Sequence, residues 1–193
     1  MRTTLAYSTL ALVASLLITG CAHPGTPHHR PADWHATLNE RLPEYGHRNI
    51  IGIVDAAYPA QTRPGVEMIT ADAGQLEVVR AVLSGINARD HVRPVVFTDA
   101  ELTHVAEADA PGITAYRDAL AAALNGTPAT RLPHDKIIAT VDDTAQTFKV
   151  LLIKTPLALP YTSVFVRLEC GYWSDDAEKR LRESMNAAAP KGN

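Results

Sequence analysis

The chain has 193 residues, of which 46% are hydrophobic and 20% are charged, and its formal net charge at pH 7 is −3. One domain of ordinary size can bury enough apolar surface at this composition. The excess of acidic residues argues against nucleic acid as a partner, because phosphate-binding proteins present a basic surface. The sequence also lacks a phosphate loop and a dinucleotide-binding glycine motif.

The first 20 residues are typical of a secretory signal peptide, because they combine an early arginine with an apolar core and contain no acid. Residues 18–21, ITGC, resemble a bacterial lipobox, which implies that Cys21 is lipidated and becomes the first residue of the mature protein. The alternative is an ordinary signal peptide that ends near a cysteine. Ala22 is not the aspartate associated with inner-membrane retention. We therefore expect an exported lipoprotein on the periplasmic face, in the outer membrane, with no second transmembrane span.

Removal of the signal peptide takes away Arg2 and no acid, so 17 basic residues face 21 acidic ones and the net charge becomes −4. Cys170 is then the only cysteine with a free side chain, which excludes an internal disulfide even in an oxidising compartment. The stability of the domain must therefore come from its core.

Residues 21–33 combine proline, glycine and polar residues without apolar periodicity, which predicts a tether between lipid and domain. His23, His28, His29 and His35 are candidate ligands of a transition metal. A flexible tether is a poor scaffold for fixed coordination geometry. We therefore predict no metal site.

Helices and strands alternate in the predicted domain, residues 34–170, and this alternation indicates a single three-layer α/β domain with a central, largely parallel sheet. Helices are expected over 34–42, 74–88 and 112–125, and strands over 50–54, 66–71, 92–97, 148–154 and 163–170. Residues 171–193 form a C-terminal extension with a charged helix over 175–188, for which Ser174 is the expected N-cap.

Residues 45–59, YGHRNIIGIVDAAYP, carry the first candidate site residues. His47 precedes the buried strand, and Asp55 follows it at the carboxyl end, where open α/β sheets bind their ligands. Alternatively, Asp55 caps the turn that Pro59 helps to define. A later acidic loop contains Asp99, Glu101, Glu107 and Asp109. It lacks the ligand spacing of a helix–loop–helix calcium site, so we expect it to be solvated.

Three segments in the same order resemble the ribose pyranase and fucose mutarotase (RbsD/FucU) family. Residues 45–61 with 65–73 resemble the family's first strand and the segment after it, and the matching positions are Gly46, His47, Asp55, Ala56 and Pro59. LPHDKI at 132–137 resembles the segment that carries a sugar-contacting histidine in pyranases and an arginine in fucose mutarotases, and His134 matches the pyranase choice. PYTSVFV at 160–166 resembles the family's tyrosine, small residue, asparagine triplet. Tyr161 matches, but Ser163 replaces the asparagine.

The resemblance implies that His47 is the proton donor and that Asp55, His134, Tyr161 and Ser163 bind the sugar. Alternatively, His134 serves as the second proton carrier. Anomers interconvert through ring opening, which removes a proton from the anomeric hydroxyl and delivers one to the ring oxygen. An imidazole gains and loses protons near neutral pH, and carboxylate and hydroxyl groups bind sugar hydroxyls. This chemistry needs no metal and no organic cofactor. Serine lacks the amide of asparagine, so one hydrogen bond to the sugar is weakened or moved.

The resemblance also implies a ring-like homo-oligomer in which a neighbouring subunit completes each site. Three interpretations remain open at this point. The protein is an exported mutarotase or pyranase acting on a monosaccharide, a non-catalytic sugar-binding lipoprotein, or a structural lipoprotein without a ligand. The third predicts no reason for His47, Asp55, His134 and Tyr161 to meet in space.

Overall fold

Six strands and five helices lie within residues 33–188, which are the residues described by the computed structural model. The strands are β1 (Ile50–Val54), β2 (Val66–Thr70), β3 (Val92–Asp99), β4 (Ala129–Leu132), β5 (Val150–Lys154) and β6 (Val164–Cys170). The helices are α1 (Trp34–Arg41), α2 (Gln75–Asn87), α3 (Ile113–Leu124), α4 (His134–Thr147) and α5 (Asp175–Ala188), and a 3-10 turn spans Ala100–Thr103.

The strands form one sheet in the order β2-β5-β1-β6-β3-β4. β6 is antiparallel to both of its neighbours, β1 and β3, whereas the other pairs of adjacent strands are parallel. The predicted fold class, an α/β domain with a largely parallel sheet, is confirmed.

Strand β1 is buried along its whole length, and its side chains alternate between two cores. Ile51 and Ile53 pack with residues of α1, α2 and α3 on one face of the sheet. Ile50 and Val54 pack with residues of α4 on the other face. Burial of each such side chain contributes about 1.5–3 kcal/mol to stability. Helices therefore cover both faces of the sheet, as the three-layer prediction requires.

Two elements were not predicted from the sequence. β4 is a four-residue edge strand, ATRL, with no buried residue, so its sequence lacks the apolar pattern of a strand. α4 does carry a helical pattern, because Ile137, Val141 and Ala145 are buried at four-residue spacing. That spacing was the available signal for this helix.

The prediction of a solvated acidic loop is wrong for Asp99, whereas Glu107 is exposed and Glu101 is half-buried, and both glutamates bind backbone N–H groups. Asp99 ends β3 and is fully buried. The carboxylate of Glu101 accepts a hydrogen bond from the backbone N–H of His134 at the start of α4. The carboxylate of Glu107 accepts hydrogen bonds from the backbone N–H groups of Gly112 and Thr114 at the start of α3. These backbone hydrogen bonds lower the pKa of both glutamates, and two helix ends are capped as a result.

Both ends of the described region agree with the sequence interpretation at single positions. Asp33, the last residue of the predicted tether, caps α1, since its carboxylate accepts hydrogen bonds from His35 and Ala36. Ser174 Oγ accepts a hydrogen bond from the backbone N–H of Ala177, 3.1 Å away, which confirms this residue as the N-cap of α5. The predicted signal peptide, Cys21 and residues 22–32 lie outside the described residues. No helix within 33–188 has the length and apolar content needed to span a bilayer.

Candidate functional site

The carboxyl ends of the parallel strands bring four of the five predicted site residues to one edge of the sheet. Asp55 follows β1, and His134 lies two residues beyond β4. Because β6 runs in the opposite direction, the residues that precede it, Tyr161 and Ser163, reach the same edge. We call this edge, with Asp55, Asp99, His134, Tyr161 and Ser163, the carboxyl edge.

Asp55 and Ser163 are bonded to each other. Ser163 Oγ donates to Asp55 Oδ2 at 3.0 Å, and Asp55 Oδ1 accepts from the backbone N–H of Ala57 at 2.8 Å. Ser163 is 2% exposed, and its buried hydroxyl fixes the position of the Asp55 carboxylate through this hydrogen bond. Asp55 therefore caps its turn through Oδ1, and the same carboxylate is the predicted site residue. Direct contact of Ser163 with a sugar stays a prediction.

His134 is held at its ring and at its backbone. Its Nδ1 lies 3.1 Å from Asp99 Oδ1, and its backbone N–H donates to the Glu101 carboxylate at 3.0 and 3.1 Å. The ring of Tyr161 meets the imidazole edge-on, with 5.5 Å between ring centroids. The imidazole is therefore fixed on two sides while 43% of the side chain remains exposed.

Asp99 is a site residue that the sequence interpretation missed. Its side chain is 0% exposed, and its Oδ2 has no hydrogen-bond partner among the described residues. Burial raises the pKa of this carboxyl, and the hydrogen bond with His134 opposes that increase. A signal was present, because VRPVVFTD ends in an acid just as IIGIVD does.

A buried polar network supports the segment that carries Tyr161. Gln75 Nε2 donates to the carbonyl of Thr162 and to Tyr116 Oη, and Gln75 Oε1 accepts from Thr155 Oγ1 at 2.9 Å. Tyr116 Oη donates to the same carbonyl of Thr162 at 2.8 Å. Tyr161 itself has a φ of 57°, a left-handed conformation that is unfavourable for a side chain of this size. The network fixes the next residue and so maintains this conformation.

His47 does not join these residues within one chain. It precedes β1 and therefore lies at the amino edge of the sheet, whereas Asp55 follows the same strand. Five extended residues span about 16 Å, which is more than one monosaccharide can bridge. His47 lines a cavity of about 620 Å³ together with residues of the C-terminal extension, among them Tyr172, Trp173 and Glu178.

The metal hypothesis rested on four histidines, of which only His35 is described. Its ring stacks on Trp34, with 3.6 Å between ring centroids. No group of three His, Cys, Asp or Glu side chains within residues 33–188 is arranged to hold a metal ion.

The fold is that of three-layer α/β domains of the RbsD and FucU type. It is similar in fold to RbsD of Bacillus subtilis complexed with D-ribose, with a TM-score of 0.50 and 16% identity, over 69% of this chain and 92% of that one. FucU of Bifidobacterium longum also resembles it, with a TM-score of 0.49 and 16% identity, over 69% of this chain and 94% of that one. A third such structure is the fucose mutarotase of Streptococcus pneumoniae in complex with L-fucose, with a TM-score of 0.47 and 19% identity, over 74% of this chain and 97% of that one.

The chain matches no protein-family model and no curated protein sequence. At 16% identity, the similarity to the Bacillus subtilis protein establishes the fold. Function has to be argued from the site.

Replacement of Gln75 by alanine tests the support of Tyr161. The change removes one hydrogen-bond partner each from Thr155 and Thr162, which keep their bonds to Val54 and Tyr116. Each lost hydrogen bond costs about 0.5–1.5 kcal/mol. We expect a lower free energy of unfolding in urea and faster hydrogen exchange over residues 155–163. Gln146→Ala is the matched control, because this exposed glutamine bonds only to Asp143 among the described residues, and its effect should stay within about 0.5 kcal/mol. Equal effects of both changes would contradict the assigned role of the network.

Proposed function

We propose that the protein binds a monosaccharide at the carboxyl edge and interconverts its anomers or ring forms by acid–base catalysis. The observation that carries this proposal is the convergence of Asp55, His134 and Tyr161 from three separate segments of the chain. The carboxylate accepts hydrogen bonds from sugar hydroxyls, and the phenol both donates and accepts. A neutral imidazole has one N–H donor and one ring nitrogen that can accept a proton. A purely structural lipoprotein gives no reason for this convergence.

The proposed reaction couples two proton transfers, one from the anomeric hydroxyl and one to the ring oxygen, to the opening of the sugar ring. A base takes the proton of the anomeric hydroxyl while the bond between the anomeric carbon and the ring oxygen breaks. An acid protonates the ring oxygen, and closure on the other face of the carbonyl gives the second anomer. Each positioned acid or base contributes about 10²–10⁴-fold to such a rate. None of these steps needs a cofactor.

We propose that His47 acts as proton donor in the site of a second copy of this chain. Its position at the amino edge supports this arrangement, because the length of β1 prevents it from reaching a sugar bound at Asp55 of its own chain. Contact between the amino edge of one copy and the carboxyl edge of the next is heterologous and closes into a ring when the rotation permits. The resemblance to the pyranase and mutarotase family implies the same kind of homo-oligomer.

A second candidate function is sugar binding without turnover. It is favoured by the bond between Ser163 and Asp55, because a hydroxyl committed to the carboxylate leaves one sugar contact unfilled. Binding needs only the carboxyl edge, whereas turnover also needs His47.

The lipid anchor at Cys21 remains part of the proposal. It is supported by the sequence ITGC after an apolar segment. A lipid on every amino terminus would hold the proposed assembly at the periplasmic face of the outer membrane, where free sugars pass before uptake.

The function is tested by exchange NMR of the full-length protein with ribose, fucose, galactose and glucose. We expect accelerated exchange between anomers for at least one sugar and a decrease of about 10²–10⁴-fold in kcat for His47→Ala. His104→Ala is the control, since His104 is exposed and lies outside the proposed site. Saturation transfer to a sugar without faster exchange would favour the non-catalytic alternative. Neither binding nor exchange with any of the sugars would count against both functions.

Co-expression of two inactive variants tests whether sites are shared between copies. His47→Ala and His134→Ala remove one proton-transfer group each, from opposite edges. In a mixed assembly about a quarter of the sites combine the intact His47 of one copy with the intact His134 of another. We expect this fraction of wild-type exchange activity to return, and lack of any recovery in verified mixed assemblies would argue for sites within single chains.

Cys21→Ser tests the lipid anchor. We expect wild-type protein expressed in a bacterial host with an outer membrane to fractionate with membranes and to gain the mass of a diacylglycerol and an acyl chain. The variant should lose both properties, because serine does not form the thioether. Cys170→Ser serves as control for the loss of a thiol and should leave fractionation unchanged. An unchanged mass and membrane fraction in Cys21→Ser would rule out this attachment point.

A further inference from the structure

Asp99 and His134 form a pair whose role is distinct from sugar contact. Asp99 Oδ1 lies 3.1 Å from His134 Nδ1, and the aspartate is fully enclosed while the histidine ring is half exposed. Asp99 itself cannot reach a ligand in solution, so any effect on the sugar must act through His134.

The burial of Asp99 needs an explanation. A carboxylate without water costs several kcal/mol unless it is paired and hydrogen-bonded. Oδ2 has no partner within residues 33–188, and the carboxylates of Asp55 and Glu101 raise the pKa of Asp99 further beyond the effect of burial. An apolar or hydroxyl side chain at the end of β3 would be more favourable for stability alone. His134 is the one polar side chain bonded to Asp99 in the described region.

We infer that Asp99 is a positioning residue that keeps the imidazole proton of His134 on Nδ1 and leaves Nε2 free to accept a proton. An ionised Asp99 accepts the Nδ1–H bond, and such charge-assisted bonds are about twice as strong as neutral ones. A neutral imidazole with its proton on Nδ1 has its lone pair on Nε2. The tautomer is thus set by the partner of the other nitrogen.

Glu101 completes this positioning from the backbone. Asp99 and Glu101 lie two residues apart at the end of β3, one bonded to the ring of His134 and the other to its backbone N–H. These two contacts fix the orientation of the His134 imidazole at the start of α4, so that Nε2 lies on the ring edge opposite Asp99.

This inference deepens the proposed function and rests on it for its chemical meaning. Nε2 of His134 takes the proton of the anomeric hydroxyl, and the O–H electron pair forms the carbonyl bond. The electron pair of the ring C–O bond moves to the ring oxygen, which takes a proton from His47 of the second copy. Closure on the other face returns both protons to their donors, so each turnover is balanced.

The test measures the tautomer of His134 directly. Full-length protein labelled with ¹⁵N-histidine gives long-range ¹H–¹⁵N correlations that distinguish a protonated from an unprotonated ring nitrogen, and His134→Gln identifies the signals of this residue. At a pH where the ring is neutral, we expect Nδ1 to be protonated and Nε2 unprotonated. A proton on Nε2 in the wild-type protein would overturn the inference, whatever its activity.

Asp99→Asn then tests the cause. The asparagine amide can donate to Nδ1, so we expect the proton to move to Nε2, and kcat for anomer exchange to fall about 10²–10⁴-fold with a much smaller change in KM. Asp135→Asn is the control, because this exposed acid lies in the first turn of α4 and should leave the tautomer and kcat unchanged. An unchanged tautomer in folded Asp99→Asn would contradict the assigned role.

The two proposals fail in different ways. If the wild-type tautomer and its change in Asp99→Asn are as expected while no sugar is exchanged, the positioning role stands and the mutarotase proposal fails. If exchange is normal but His134 carries its proton on Nε2, the positioning role fails alone. When Asp99→Asn does not fold, the wild-type tautomer decides by itself.

Discussion

The direction of β6 is the constraint on which the candidate site depends. This strand lies in the middle of a sheet whose other strands are parallel to one another, and it is antiparallel to both neighbours. Ile53, Val164 and Thr98 are in register across the three strands. The chain that enters β6 is therefore inserted between the ends of β1 and β3, about 5 Å from each. A parallel β6 would bring its carboxyl end, Cys170, to this position instead of Tyr161 and Ser163.

Buried polar groups then convert this topology into a fixed arrangement. Asp55 is tied to β6 through Ser163, and His134 is tied to β3 through Asp99. The strained backbone at Tyr161 is supported by Gln75 from α2, on the face of the sheet opposite α4. The same few hydrogen bonds thus join three strands and two helices at one edge.

The sequence predicted what apolar patterns encode and missed what depends on contacts between distant segments. β1, β3 and β6 are apolar runs, and their existence and the fold class followed from them. The edge strand β4 has no such run. The burial of Asp99 depends on residues from other elements and cannot be read from a local pattern, although an acid directly after an apolar strand was a usable hint. The separation of His47 from Asp55 was predictable from the number of residues between them, whereas the bond between Ser163 and Asp55 joins residues 108 positions apart.

The amino and carboxyl edges of the sheet lie far enough apart to respond separately to substitution. Effects on stability usually add when residues lie more than about 7–10 Å apart and share no partners, and β1 separates His47 from Asp55 by more than that. Variation in the extension around Trp173 can therefore alter the surroundings of His47 without disturbing the hydrogen bonds that hold the carboxyl edge. Substitutions at the amino edge and at the carboxyl edge of one chain are accordingly expected to change its stability independently of each other.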